Sequence, residues 1–207
     1  MGFPGLSIGE SGSGKTYSVK NFDPESVGIF AVEKSRLPFP NSQRFKVAKR
    51  ATYKTIAEVL KEPGLKRYVI DDSQYLLVNE MFDKVNEAGY KKFTDMALHF
   101  RNLIHTINHQ LPDDVFVYFL HHPDTDATTG RIKAKTIGKM LDEKLTVEGC
   151  FDVVLFAQIE AGEHYFITQS DGTTSAKSPE GCFDLKIPND LDFVDRRLRE
   201  YYGLEAV

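Results

Sequence analysis

Strands alternating with helices along 207 residues predict an α/β fold: a mainly parallel sheet flanked by helices. Three observations carry this. Apolar runs of buried-strand type recur at 27–32 (VGIFAV), 67–72 (RYVIDD), 115–121 (VFVYFLH) and 151–158 (FDVVLFAQ). Segments of helical periodicity lie between them. The first strand passes into a helix through the glycine-rich stretch GESGSGKT at 9–16.

Leu6 to Ile8 is a short apolar run ahead of that stretch, and Thr16 to Asn21 can continue from it as a helix. After the 27–32 strand, FKVA (45–48) has the composition of another short one. TYKTIAEVLKEPG (52–64) predicts a helix that Pro63-Gly64 terminates. From Ser73 to Gln110 the pattern is helical, with a break near Gly89. Phe93, Met96, Ala97, Phe100, Leu103, Ile104 and Ile107 recur three and four apart and mark a buried helix face. A polar segment with glycine and lysine (HPDTDATTGRIKAKTIGK) follows the 115–121 strand. HYFITQS, the turn Asp171-Gly172 and the stretch to Asp184 predict a hairpin, and NDLDFVDRRLREYYGL a closing amphipathic helix. The chain is expected to form one domain, with a core over 1–160 and the hairpin and helix over 161–207.

Composition narrows the class. Hydrophobic residues make up 41% and charged residues 27%, the balance of a soluble globular protein. No apolar run approaches the ~20 residues of a membrane helix, so no membrane partner is expected. The first residues lack a basic segment followed by an apolar one, which argues against a signal peptide. Leu6 stands where a myristoylation signal wants Ser or Thr. Cys150 and Cys182 suit a reducing compartment, and a cytoplasmic location is expected. With a net charge of −4, any nucleic-acid contact has to come from local patches.

GESGSGKT fits the pattern Gly, four residues, Gly-Lys-Ser/Thr, the phosphate-binding P-loop. The loop must turn backbone N–H groups inward onto phosphate oxygens, and its glycines permit that wrapping. Gly9, Glu10, Ser11, Gly12, Ser13, Gly14, Lys15 and Thr16 are therefore the candidate nucleotide-binding residues. Lys15 would reach the β- and γ-phosphates, and the Thr16 hydroxyl would hold Mg²⁺. Hydrolysis also needs an acid at the end of a neighbouring strand and a group that orients water. YVIDD supplies Asp71 for the magnesium shell and Asp72 to polarise water, with the two roles exchangeable. Glu33, at the end of the strand after the loop helix, is a rival to Asp72. His121 and His122 end the next strand, where a polar residue can sense the γ-phosphate; His122 is the catalytic candidate. His105 and His109 lie four apart, without a third residue of metal-ligand spacing, and read as a surface pair.

These residues carry a resemblance. GESGSGKT, NFDPESVGIFAVEKSRLPFP, YVIDDSQYL, the FLHHPD segment, IGKMLDEKLTVEGCFDVVLF and AKSPEGCF…IPNDLDFVDRRLREYYGL resemble the small phage-encoded P-loop ATPases of AAA or RecA-like type. The chain is similar to the RecA-core single-strand annealing ATPases of phage recombination modules. The resemblance implies a RecA-like core with the 115–121 strand between the loop strand and the Asp71 strand. It also implies ATP with Mg²⁺, coupling to single-stranded DNA, a homo-oligomer and the cytoplasm of a bacterial host. Glu33 occupies by order the place of the RecA-type base, although VEKSRLPFP does not resemble RecA itself.

Two basic stretches are candidates for DNA contact. Segment 44–67 carries Arg44, Lys46, Lys49, Arg50, Lys54, Lys61, Lys66 and Arg67 against Glu58 and Glu62. Segment 131–144 carries Arg131, Lys133, Lys135, Lys139 and Lys144, where the resemblance places a DNA-contacting loop. Its lysines could instead reach a neighbouring subunit's γ-phosphate. A nucleoside or nucleotide kinase and a nucleotide-gated assembly factor, such as a helicase loader, stay open beside the ATPase.

Overall fold

The computed structural model describes residues 1–33 and 36–207, without the side chains of 139, 142 and 143. Ten strands are present among these residues: β1 (Phe3–Ile8), β2 (Val27–Ala31), β3 (Lys46–Lys49), β4 (Arg67–Asp71), β5 (Phe116–His121), β6 (Pro123–Thr125), β7 (Ile132–Ala134), β8 (Val153–Glu160), β9 (Glu163–Ile167) and β10 (Lys186–Pro188). The helices are α1 (Tyr53–Lys61), α2 (Tyr75–Asp83), α3 (Lys91–Gln110), α4 (Lys139–Lys144) and α5 (Leu191–Tyr202). Thr16–Asn21, expected as a helix, is a single 3₁₀ segment.

Eight of the described strands form one sheet in the order β10-β9-β8-β1-β5-β4-β2-β3. β1 pairs in parallel with both β5 and β8, and β4 with both β5 and β2. β5 therefore lies between the strand that precedes the glycine-rich loop and the strand that ends in Asp71. Its six residues are all buried, as a central strand covered on both faces requires. The edge beyond β8 is antiparallel (β8–β9–β10), so the sheet is mixed but mainly parallel.

Alternate residues of each strand feed two cores. On one face Leu6, Ile8, Phe30, Ile70, Val117 and Phe119 meet Ile56 and Leu60 of α1, Leu76 and Leu77 of α2, and the Met96–Ile107 stripe of α3. On the other, Ile29, Val69, Phe116, Tyr118 and Leu120 meet Val19 and the Leu191, Val194 and Leu198 face of α5. The helices thus cover both faces of the sheet, in an α/β/α arrangement. No helix among the described residues is long and apolar enough to cross a membrane.

Two expected elements differ. The turn between β8 and β9 lies at Ala161-Gly162, both with positive φ (51° and 85°), as a two-residue hairpin turn demands. The expected hairpin through Asp171-Gly172 is looser than a tight turn: β9 pairs antiparallel with β10, past Asp184, and Asp171-Gly172 sits inside the long connection, where Asp171 Oδ1 accepts from the Thr173 amide at 2.9 Å. The polar segment after β5 is not a plain loop. β6 and β7 pair into a separate antiparallel ribbon, followed by α4.

Candidate functional site

Parallel strands bring their C-terminal ends to one edge, where open α/β sheets bind ligands. The loop after β1 opens there onto a pocket of about 300 Å³. Ser11, Gly12, Gly14, Lys15 and Thr16 form one wall, and Asp71, Asp72 and His122 form the facing one. Tyr17, Arg36, Pro38 and His164 complete the lining.

The loop is held from inside and from behind. The Gly9 amide donates to the His121 carbonyl at 3.2 Å, which ties the loop to β5. Lys15 is 6% exposed, and its Nζ donates to the carbonyls of Gly9 (2.6 Å) and Glu10 (3.0 Å). Behind the loop, the Ser13 carbonyl accepts from His164 Nδ1 at 3.0 Å and from Asn189 Nδ2 at 3.5 Å. Gly14 has φ 95°, and a Cβ there would lie 2.8 Å from His164 Nδ1. Both the backbone angle and the contact with the C-terminal hairpin thus require glycine.

Thr16 Oγ1 donates to Asp71 Oδ1 at 2.8 Å, across 55 positions of sequence. Consecutive strand residues point to opposite faces, so Asp71 and Asp72 would normally diverge. Asp72 escapes this with φ 59°, a left-handed conformation that Asp tolerates better than most residues. The chain turns there, and both carboxylates line the same pocket. Burial, and then the Asp72 charge, push the Asp71 carboxyl up to about 6, against the opposing effects of Thr16 and Lys15. Asp72 Oδ1 accepts from His122 Nε2 at 3.3 Å.

His121 faces inward and is fully buried. Its Nε2 donates to the Lys135 carbonyl at 2.7 Å. Nδ1 then accepts from the Ser73 hydroxyl at 2.9 Å. Burial pushes its pKa down to about 4, so the ring is neutral. The Lys135 amide also donates to the His122 carbonyl at 3.0 Å, so the ribbon's base is fastened to the end of β5 at two points.

Of the two water-activating candidates, Asp72 lines the loop pocket, together with His122, the candidate γ-phosphate sensor. Glu33 lines a neighbouring cavity, with Arg50, Tyr53 and Glu80. Arg131 and Lys133 lie on or beside β7, and Arg131 Nε donates to the Thr174 carbonyl at 3.0 Å. Lys135 follows the ribbon, exposed, and the Lys139 side chain lies outside the described residues. The other basic stretch does not form one surface. Arg67 is buried on Asp195, while Lys46 pairs with Glu25 and Lys66 with Asp114. His105 and His109 are both exposed, with ring centroids 4.3 Å apart. No cluster of three or more His, Cys, Asp or Glu side chains suited to a metal occurs among the described residues.

Tyr17, Arg36 and His164 are pocket residues that no motif announces. Only a basic or aromatic residue just past the loop could have suggested Tyr17; His164 reaches the site through strand pairing. No protein-family model and no curated protein sequence matches this chain.

Proposed function

We propose that the 9–16 loop is a P-loop that binds the phosphates of ATP with Mg²⁺, and that the chain hydrolyses the γ-phosphate. The observation that carries this reading is the Thr16 Oγ1–Asp71 Oδ1 bond at 2.8 Å inside the loop pocket. It joins the hydroxyl after the loop lysine to a strand-end carboxylate, the pair from which a P-loop magnesium site is built. The strand order supports a RecA-like core, since β5 lies between β1 and β4.

The residues present fit a divalent cation. Asp71 and Asp72 are 4% and 7% exposed and face one pocket; burial first, and then the Asp72 charge, raise the Asp71 pKa, and a cation would relieve both. Mg²⁺ takes one or two carboxylates and fills its remaining positions with water and phosphate, so a full protein cage is not needed. Bound there, it would neutralise charge on the β- and γ-phosphate oxygens. Thr16 and Asp71 would hold it. Lys15, already desolvated, would exchange the Gly9 and Glu10 carbonyls for phosphate oxygens, a stronger charge-assisted contact. Asp72, steadied by His122, is the carboxylate available in the pocket to orient water and take its proton.

Coupling to single-stranded DNA is the second half of the proposal. The ribbon carrying Arg131 and Lys133 is fastened through Lys135 to the two histidines at the end of β5. His122 in turn holds Asp72. Contact with a nucleic-acid backbone on the ribbon would therefore be felt one residue from the proposed water-activating group. A homo-oligomer, in which these lysines meet a neighbour's nucleotide, is the companion expectation from the resemblance.

ATP turnover measured with and without single-stranded DNA, and with Mg²⁺ withdrawn by a chelator, tests this. Lys15→Ala is expected to lower turnover at least a hundredfold while the thermal melt stays cooperative; a loss of about 3 kcal/mol of transition-state stabilisation is typical for one electrostatic contact. Unchanged turnover in Lys15→Ala overturns the site. Failure of DNA to bind or stimulate at low salt overturns the coupling alone.

A further inference from the structure

The C-terminal hairpin contributes one side chain to the loop pocket, and strand pairing sets its position. The tight turn at Ala161-Gly162 fixes the register in which His164 stands opposite Ile159. Alternation along β9 then puts His164 on the same face as Phe166, which packs in the core that also holds Val19. His164 thereby arrives beside the segment that follows the loop. Its ring centroid is 6.3 Å from that of Tyr17.

The two nitrogens of His164 have different tasks. Nδ1 lies 3.0 Å from the Ser13 carbonyl, which can only accept, so Nδ1 carries a proton. In the neutral ring Nε2 is then an acceptor, and the loop's own backbone fixes it in that sense. His164 is exposed and lines the pocket, and Nε2 makes no hydrogen bond among the described residues. Tyr17 is partly buried against the second core and lines the same pocket. The Phe39 ring meets it at 6.5 Å and 75°, and Lys20 Nζ stands 3.9 Å from its centroid. Edge and cation contacts of this kind hold a ring in place.

A nucleotide with its phosphates on the loop must lay its nucleoside against the lining that the loop and the acids leave. That lining is Tyr17, Arg36, Pro38 and His164. We propose that Tyr17 and His164 form the base subsite of this pocket and select adenine. The base packs against the Tyr17 ring, and its exocyclic amino group donates to His164 Nε2. This rests on the reading of the loop as a phosphate site, and it adds the identity of the base. Guanine carries a carbonyl oxygen where adenine carries the amino group, so it would set an acceptor against an acceptor. Selection comes from rejecting guanine as well as from holding adenine.

Calorimetric titration of the full chain at mildly alkaline pH tests it, with Mg²⁺ and non-hydrolysable analogues of ATP and GTP, and separately with inorganic tripolyphosphate. The wild type should bind the ATP analogue about tenfold more tightly than the GTP analogue. His164→Phe keeps an aromatic ring, loses Nε2 and should abolish that preference. It also releases the Ser13 carbonyl, an effect on the loop that changes all three ligands alike and cancels in the ratio. Tyr17→Ala should weaken both analogues by about tenfold and leave tripolyphosphate binding unchanged. Tripolyphosphate binding without a preference between the analogues, or a preference that survives His164→Phe, overturns the base subsite alone. A His164-dependent preference without tripolyphosphate binding counts against the loop reading alone. If none of the three ligands binds, both readings fall.

Discussion

Asp71 sits in a pocket that resists its charge, and this sets how the protein responds to pH. Its pKa is about 6, against an ordinary 3.8. The folded chain therefore keeps a proton that the unfolded chain releases, so this contribution to stability is present below the ordinary value and lost as pH rises through about 6. Asp71→Asn should accordingly be more stable than the wild type at neutral pH without ligand, by up to about 3 kcal/mol. The difference should close as pH falls toward 4, which denaturant titrations at several pH values will measure. For the same reason Mg²⁺ must compete with a proton below about 6, and its affinity in the presence of nucleotide should drop about tenfold per pH unit there, read by calorimetry. His121 acts in the opposite direction. The folded ring refuses a proton down to about 4, against an ordinary 6.5, so its contribution is lost as pH falls between those values. Asp71 and Asp72 were legible as strand-end acids. Both were expected at one site; what was not legible is the left-handed backbone of Asp72 that turns the two carboxylates into the same pocket.

At the scale of elements, the last helix is bound to the sheet by buried charge. Asp195 of α5 is fully buried, and its Oδ1 accepts from Arg67 Nε and Arg199 Nε, both at 2.7 Å. The Tyr118 hydroxyl donates to Oδ2 at 3.0 Å. Removing the carboxylate would strand two buried guanidinium groups. Asp195→Ala should therefore cost about 3–5 kcal/mol, measured as a lowered urea midpoint with an unchanged slope. The Asp195–Arg199 spacing of four can be read along the helix, whereas Arg67 lies 128 positions away. From sequence it counts as one more cation of a surface patch. The C-terminal hairpin is similar. The strand in HYFITQS does pair antiparallel with one beyond Asp171-Gly172, but that partner, β10, begins only at Lys186, past Asp184, because register places Ile187 opposite the buried Phe166.

For the molecule as a whole, the ribbon and the loop pocket share the end of β5. If the ribbon grips a DNA backbone, single-strand affinity should fall with salt by about 0.7 logarithmic units per phosphate contact. Replacing Arg131 and Lys135 together with alanine should flatten that slope by one to two contacts' worth, measured by fluorescence anisotropy across a salt series. An unchanged slope would place the contact elsewhere on the surface. The ribbon itself was not legible. Its strands are three residues each, too short for a period to register, and pairing is set by the anchorage of Lys135 to both histidines.

Sequence alone determined the α/β class, the positions of β1 to β5, β8 and β9, and the loop with its lysine, because each rests on local chemistry: apolar runs, helical spacing, and glycines where a backbone must turn. Only the tertiary structure decided which side chains meet. Strand order put β5 between β1 and β4, and the Thr16–Asp71 bond followed from it. It moved Glu33 to the neighbouring cavity and brought His164 and Asn189 behind the loop. Those outcomes depend on contacts between residues distant along the chain, and no local pattern encodes which distant partner a strand edge or a buried charge will find.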